Sequence, residues 1–171
     1  MKRRTAQIAA ASIAIMTAGC HSPVAADRFH IGVDARPGYT LTILSVTPAA
    51  GATIDWRQGP ALARVRVEYE RQADATSTRL AVCLARTTST FIFSSCRDTP
   101  LLAMKGETDG HAGIYLVNGV PAWTETRYIL AFLVEGDLLS YRRLYEDEIG
   151  IDRLSDVVFA SRQVEHLLQW R

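Results

Sequence analysis

A strict alternation of charged and apolar residues over residues 64–70 constrains the fold of this chain more than any other feature. Val65, Val67 and Tyr69 share one face of this segment, and four charged side chains share the other. A period of two predicts a β-strand with one face on an apolar core and the other in water. Such a strand is stable only in a sheet with further strands, so we predict a mainly β fold.

Several other segments have the composition of strands. Residues 39–46 alternate apolar and small polar side chains and are rich in β-branched types, which favours a strand. Residues 128–134 are apolar on both faces, so we expect a central strand that is covered from both sides. The remaining predicted strands are residues 79–86, 91–95, 114–117 and 138–145.

The segment 98–113 is predicted to be a loop, because it contains one proline and three glycines around a short apolar run at residues 101–104. Within it, Asp109 and His111 could supply a base and its orienting carboxylate. However, the Asp-Gly pair that precedes His111 is first of all a turn sequence. We therefore assign no catalytic residue here.

The last segment of the chain changes its periodicity. We predict an amphipathic helix over residues 151–171, with a polar face of charged and amide side chains. Its expected role is to pack on or next to the sheet, and the alternative role is to dock on a partner or a membrane surface. The apolar stripe consists of Leu154, Val157, Val158, Ser161, Val164, Leu167 and Leu168.

The N-terminus has the order of a secretory signal peptide. Lys2, Arg3 and Arg4 are followed by an apolar run over residues 8–16 and by the small residues of the segment 17–20. The apolar run is shorter than the ~20 residues that a membrane-spanning helix needs. Ala18-Gly19-Cys20 resembles the lipobox of bacterial lipoproteins, in which a cysteine after small residues receives diacylglycerol and becomes the mature N-terminus.

This resemblance implies an address and a covalent modification. Residues 1–19 would be removed, Cys20 would carry diacylglycerol and an N-acyl chain such as palmitate, and residues 20–38 would form a tether. His21 stands where an aspartate would retain such a protein at the inner membrane. The resemblance therefore implies a lipid anchor in the outer membrane of a Gram-negative bacterium, with the domain facing the periplasm. The alternative is an ordinary signal peptide cut near Ala25-Ala26, which would discard Cys20.

The charge of the exported chain bears on its partners. Cleavage before Cys20 leaves 152 residues, which is the size of a single domain. It also leaves 16 basic residues against 18 acidic ones. A nucleic-acid-binding domain would need a basic surface, so we expect the membrane and another envelope protein as partners, and no nucleic acid.

Cys83 and Cys96 are the two cysteines that remain. In an oxidising compartment an even pair predicts a disulfide, which we favour over free thiols or a metal site. The two cysteines would face each other directly in a hairpin whose turn centres between Ser89 and Thr90. That register places Val82 opposite Arg97 and Leu84 opposite Ser95, so a bulge or a bridge between non-neighbouring strands remains open.

The strand pattern also resembles a known class of domain. Residues 45–51, followed by residues 65–69, are similar to the opening strands of bacterial immunoglobulin-like and fibronectin type III-like domains. The resemblance spans about 39–145 and implies an antiparallel immunoglobulin-like β-sandwich of about seven strands over residues 39–150. The cysteine-tryptophan-cysteine arrangement of true immunoglobulin domains is absent, because no tryptophan lies between Cys83 and Cys96.

Two other groups of residues carry side chains that could bind a ligand. Glu146, Asp147 and Glu148, with Asp152 nearby, carry oxygen ligands for Ca²⁺ but lack the spacing of a known calcium loop, so we predict a solvated acidic face and no metal or cofactor. The three tryptophans could stack on sugars or peptides, although they more often fill a core. They are Trp56, Trp123 and Trp170.

The sequence thus predicts a lipid-anchored binding or structural module of the cell envelope, without catalytic activity. An alternative is a periplasmic inhibitor or immunity-type lipoprotein that neutralises an exported enzyme. An envelope enzyme is the third hypothesis, and Asp109 and His111 are the residues that it would require.

Overall fold

The computed structural model describes residues 35–58, 61–114, 116–138, 140 and 148–171. These residues are mainly β, and no α-helix occurs among them. A short 3₁₀ helix spans Ile151–Leu154. The strands are β1 (Thr40–Thr47), β2 (Thr53–Ile54), β3 (Leu62–Glu70), β4 (Thr78–Ala85), β5 (Thr90–Pro100), β6 (Lys105–Gly113), β7 (Leu116–Val117), β8 (Val120–Pro121), β9 (Glu125–Glu135), β10 (Glu148–Gly150) and β11 (Val158–Trp170).

The alternating segment forms β3, as its pattern predicts. Val65 and Val67 are fully buried and Tyr69 is nearly so, whereas the charged residues between them are exposed. β3 pairs with β1 on one side and with β6 on the other, and both ladders are antiparallel. The prediction of a half-buried strand is confirmed.

The strands form a curled sheet in the order β1-β3-β6-β5-β4-β9-β11-β2, and β10 pairs with β5 off this path. The curl occurs where β6 meets β5, since Cys96 and Ala112 are the single pair of residues that joins these two strands. Beyond this pair β6 lies over β4, where Gly110 contacts Leu80 and Val82. A Cβ atom at residue 110 would overlap both side chains, so the close approach requires glycine.

The prediction of a loop over residues 98–113 is therefore wrong. β5 continues to Pro100, and β6 occupies Lys105–Gly113. Gly110 and Gly113 stand where a neighbouring side chain, that of Val82 or Leu62, leaves no room for a Cβ atom. Glycine in a strand interior often marks such a contact rather than a turn.

Two separate apolar cores lie on opposite faces of the β4 and β9 strands. Along β9, Ile129, Ala131 and Leu133 belong to the inner core, which is enclosed by the curl of the sheet. The alternate residues belong to an outer core that the chain after β9 covers. This confirms the expectation of a central strand that is buried on both faces. The outer core comprises Ala81, Cys83, Ala85, Phe91, Phe93, Cys96, Leu130, Phe132, Val134, Leu138, Ile149, Leu154 and Val158.

The C-terminal helix predicted over residues 151–171 is wrong. After the 3₁₀ helix and a turn at residues 155–157, this segment forms β11, which pairs antiparallel with β9. Its register shifts between Val158 and Ala160 and again between Glu165 and Leu168, each time by one extra residue in β11. The chain passes from the outer core, which holds Leu154 and Val158, to the inner core, which holds Ala160 and Leu168. Apolar residues that face two different cores therefore follow one another at spacings of three and four, as they would in a helix.

Other boundaries differ more modestly. Seven strands have eight or more residues, close to the predicted number, and the described part of the chain adds four short ones. The strand predicted at residues 114–117 is shortened to Leu116–Val117. Of the strand predicted at 138–145, Leu138 is buried but outside any strand, and residues 139 and 141–145 lie outside the described residues.

The two ends of the curled sheet differ in what they carry. At the entry end, defined here as residues 35–38, 71–77 and 101–104, the chain reaches β1 from the N-terminal segment. The far end comprises residues 48–58, 86–89, 116–124 and 170–171. Backbone bonds join the chain on either side of β1 to β11, from Arg36 N to Phe159 O (2.8 Å) and from Gly51 N to Leu167 O (2.7 Å).

Candidate functional site

Cys83 and Cys96 form a disulfide, with their Cα atoms 4.1 Å apart. Both residues are buried in the outer core. Cys20, the predicted site of lipid attachment, lies outside the described residues, so lipidation stays a prediction. Because Cys83 and Cys96 are both buried, the disulfide is a structural element of the domain and not part of its surface.

The register around the disulfide contains a bulge, which is one of the arrangements that the sequence allows. Val82 pairs with Arg97 and Leu84 pairs with Ile92, so that four residues of β5 stand opposite Cys83 alone. Ser95 is fully buried at the bulge, where its hydroxyl donates to Ile92 O (2.6 Å) and accepts from Leu84 N (2.8 Å). The serine thus replaces the ladder hydrogen bonds that the bulge removes.

The three tryptophans gather towards the far end. Trp170 is buried in the inner core, and its indole N–H donates to Thr126 Oγ1 (3.1 Å). Trp56 and Trp123 are half-buried and pack against the same core. The guanidinium of Arg57 lies 4.6 Å from the centre of the Trp56 ring. The expectation that tryptophans fill the core and its edges is confirmed, with Trp123 reaching the surface.

A shallow depression of about 360 Å³ lies beside Trp123 at the far end. It is open to solvent and combines an indole, two guanidinium groups, a carboxylate and a hydroxyl. Apolar and charged groups in one concave surface suit a ligand with both kinds of chemistry. The lining residues are Arg86, Ala122, Trp123, Thr124, Glu125 and Arg127.

The charges of the depression are held in place by ion pairs. Arg86 pairs with Glu148 of β10, which also accepts from Thr90 Oγ1 (2.9 Å). Arg127 Nε donates to Glu125 Oε1 at 2.8 Å, and this hydrogen bond raises the pKa of the Arg127 guanidinium. Both arginines remain at least half exposed, so their remaining N–H groups face solvent and can bind an anionic or carbonyl group of a partner.

Asp109 and His111 lie on the outer face of β6, in register with Arg66 and Arg64 of β3. The Asp109 carboxylate is 2.7 Å from Arg64 Nη2, and the neighbouring Arg66 pairs with Glu107 in the same way at 2.8 Å. The side chains therefore form a ladder of cross-strand ion pairs. The turn predicted at Asp109-Gly110 is wrong, because both residues belong to the strand.

The acidic cluster is described only in part. Glu146 and Asp147 lie outside the described residues, Glu148 is paired with Arg86, and Asp152 is exposed. Within the ranges that the structure describes, no group of three or more His, Cys, Asp or Glu residues is placed to hold a metal ion.

A buried arginine organises the entry end. The guanidinium of Arg71 donates to the carbonyl oxygens of Ala103 (3.0 Å), Gln72 (3.1 Å), Ala75 (3.0 Å) and Leu101 (3.4 Å). Its own backbone N–H donates to Met104 O at 2.7 Å. One side chain thus connects the turn 71–77 to the loop 101–104.

The loop held by Arg71 presents two large apolar side chains to solvent. Leu102 is 93% exposed and Met104 is 55% exposed. The apolar run over residues 101–104 was visible in the sequence, but its exposure was not, because Leu101 in the same run is buried. The role of Arg71 left no signal in the sequence, where it reads as one more charge after β3.

Comparison with known proteins gave no match to a family model, to a curated protein or to a solved structure. Within the described part of the chain, no helix has the length and apolar character needed to cross a membrane.

Proposed function

We propose that this protein is a lipid-anchored binding module of the cell envelope that acts by recognition rather than catalysis. The N-terminal basic residues, the apolar run 8–16 and Ala18-Gly19-Cys20 support export and acylation of Cys20. Two or three acyl chains on one residue give a firm anchor, because a single chain binds a membrane only marginally. His21 favours the outer membrane, and the domain faces the periplasm.

We further propose that the curled sheet is an immunoglobulin-like sandwich. Its seven long strands divide at the Cys96–Ala112 pair into a half of three strands, β1-β3-β6, and a half of four, β5-β4-β9-β11. The inner core lies between the two halves. Domains with this architecture commonly bind partners through their end loops or sheet edges, but the fold alone does not assign a function.

The observation that carries the binding proposal is the separation of the two ends. The tether would reach the domain at the entry end, whereas the depression beside Trp123 lies at the far end. The 11 residues of β9 span about 35 Å at ~3.3 Å per residue. An anchored domain standing on its entry end would therefore present the depression tens of ångströms from the bilayer.

The composition of the depression favours a protein as the partner. Tryptophan and arginine are the residues most enriched at the energetic centres of protein interfaces. Trp123 supplies the apolar surface, Arg86 and Arg127 supply donors, and Glu125 supplies an acceptor. We therefore propose another envelope protein as the partner, bound through the far end.

The first test of this proposal is covalent capture in living cells. A photo-crosslinking residue would replace Thr124 in the depression, and a matched variant would carry it at Thr42, which is also exposed but lies on β1. We expect one envelope protein to be captured from residue 124 and absent from residue 42. Equal capture from both positions, or recovery of only abundant envelope proteins, would contradict a binding role for the far end.

The second test addresses the anchor. Cells fed a radioactive fatty acid should label the wild-type protein and leave a Cys20→Ser variant unlabelled. An unlabelled wild-type protein would refute acylation of Cys20, while leaving the capture experiment interpretable.

A further inference from the structure

We infer that the loop 101–104 is a second membrane contact, in which Leu102 and Met104 enter the interface of the same bilayer that holds the lipid anchor. The inference rests on the proposed anchoring at Cys20. It adds a defined orientation of the domain, with the entry end on the membrane.

The first observation is the exposure of two apolar side chains in a fixed loop. Leu102 and Met104 are among the few large apolar residues that the described chain leaves in solvent. Arg71 holds the backbone of this loop through the carbonyl oxygens of Leu101 and Ala103. Leu102 is thus presented by an ordered loop, so little conformational entropy would be lost when it enters another apolar phase.

The second observation is the position of the loop beside the chain entry. Arg36 is fixed there, since its backbone N–H donates to Phe159 O, its guanidinium donates to Ser155 O (2.9 Å) and it lies 5.2 Å from the centre of the Phe159 ring. The next residue, Pro37, accepts a bond from Gln72 Nε2 (2.7 Å), and Gln72 is the neighbour of Arg71. The point where the tether would leave the domain is therefore linked to the loop through Gln72, which bonds to Pro37, and through Arg71, which bonds to the loop.

The length of the chain before the entry point argues that the surface contacted by Leu102 and Met104 is the bilayer. Fifteen residue steps separate Cys20 from Ala35, and they span at most about 50 Å when fully extended. As a flexible chain they span about 20 Å on average. A surface tethered this closely to a membrane meets it at a high effective concentration, so that a contact too weak for a free protein becomes populated.

The charges around the loop agree with an apolar rather than an electrostatic contact. Lys105 follows the loop and stands opposite Glu70 in the β3–β6 ladder, and Asp74 lies in the adjacent turn. This mixture is not the basic cluster that binds anionic headgroups. The contact should therefore form on zwitterionic lipids and change little with salt.

The test measures the depth of single residues in reconstituted membranes. The full-length protein, produced in a bacterium and placed in phosphatidylcholine vesicles, would carry a fluorescent label on a Leu102→Cys variant. The matched control is Leu116→Cys at the far end, where the native side chain is 46% exposed. The Cys83–Cys96 disulfide is buried and does not compete for the label.

We expect lipids with a quencher in the acyl chain to quench the fluorescence of the label at residue 102 at least about twofold more strongly than that of the label at residue 116. In a Leu102→Asp and Met104→Asp background, with the label kept at residue 116, quenching at the far end should rise because the orientation is lost. Both substituted residues are exposed, so the domain should fold.

Each other outcome overturns the inference. Protein that floats with the vesicles but shows equal quenching at residues 102 and 116 refutes the second contact and leaves the anchor intact. A label at residue 102 that is shielded from water without being quenched by lipid would indicate contact with a second copy of this protein instead, and would refute the contact with the bilayer. Protein that does not float with the vesicles refutes the anchor and the second contact together.

Discussion

Replacing Arg71 tests whether one buried side chain holds the entry end together. Arg71 is 7% exposed and donates three hydrogen bonds of 3.0–3.1 Å to carbonyl oxygens, with a fourth at 3.4 Å. An Arg71→Met variant keeps the length and apolar stem of the side chain but loses every one of these bonds. The carbonyl oxygens of Gln72 and Ala75 would keep only the backbone N–H groups that also donate to them, and the guanidinium that joins the turn to the loop would be gone.

The expected loss follows from the three shorter bonds. At about 1 kcal/mol net for each, the free energy of unfolding should fall by roughly 3 kcal/mol. Urea unfolding followed by tryptophan fluorescence would measure it, and with a slope of about 2 kcal/mol per molar the midpoint should fall by about 1.5 M. Arg71→Lys should recover only part of this loss, because one ammonium group cannot reach all four carbonyl oxygens.

Arg64→Met is the matched control, since it removes an arginine of similar length from the ion pair with Asp109. The Arg64 side chain is 57% exposed, and an exposed pair of this kind contributes at most about 1 kcal/mol. The reasoning fails if Arg71→Met costs no more than Arg64→Met. It also fails if Arg71→Lys is as stable as the wild type.

Three further predictions concern the core and the entry end. Replacing both Cys83 and Cys96 by alanine opens a link between residues 13 apart and should cost about 3 kcal/mol by urea unfolding; an unchanged midpoint would mean that the disulfide contributes nothing. Gly110→Ala places a Cβ atom against Leu80 and Val82 and should lower stability by about 1–3 kcal/mol through overpacking, and a melting temperature equal to that of the wild type would show that β6 does not lie close over β4. Burial, reinforced by the charge of Asp74, raises the pKa of Tyr39, so its contribution to stability is fully present below pH ~10 and is lost as the pH rises through the higher folded-state pKa. Tyr39→Phe should remove this part of the alkaline loss in unfolding experiments, whereas an identical pH dependence would contradict the assignment.

Local patterns predicted the strands that are buried in a regular way. The alternation of β3 and the continuous apolar run of β9 each follow directly from burial on one face or on two. The pairing of Val82 with Arg97 also follows from the spacing of the cysteines. Each of these features depends only on which residues share a face of a strand, and a regular period of two specifies that.

The errors arose where the regular period is interrupted. Val158, Ser161 and Val164 have the spacing of a helix, although Val158 lies in the outer core and Val164 packs against the inner core, with a bulge of β11 between Val158 and Ala160. Gly110 was interpreted as part of a turn, although it is required by the contact with Val82 across the curl. Both cases depend on tertiary contacts, which no local window of sequence contains.

The far-end depression was equally hidden. Arg86, Trp123 and Arg127 are separated in sequence and meet only because β4 and β9 are adjacent in the sheet. Trp123 could be named as a stacking residue from its type alone, but its partners could not. The loop at Leu102 was visible as an apolar run, and only the burial of Arg71 beneath it explains why the loop is ordered.

The placement of the entry and far ends has a mechanical consequence. A pull between a membrane tether at Ala35 and a partner at the far end would act along the strands, in the direction in which β1 and β3 run antiparallel. The hydrogen bonds of such a ladder lie perpendicular to the strands. This force would therefore load many hydrogen bonds in shear at the same time, rather than breaking them one after another. If the same domain were pulled from the two edges of its sheet, the hydrogen bonds would break one after another. Force spectroscopy should therefore give a higher rupture force for attachment at Ala35 and the far end than for attachment at the two sheet edges.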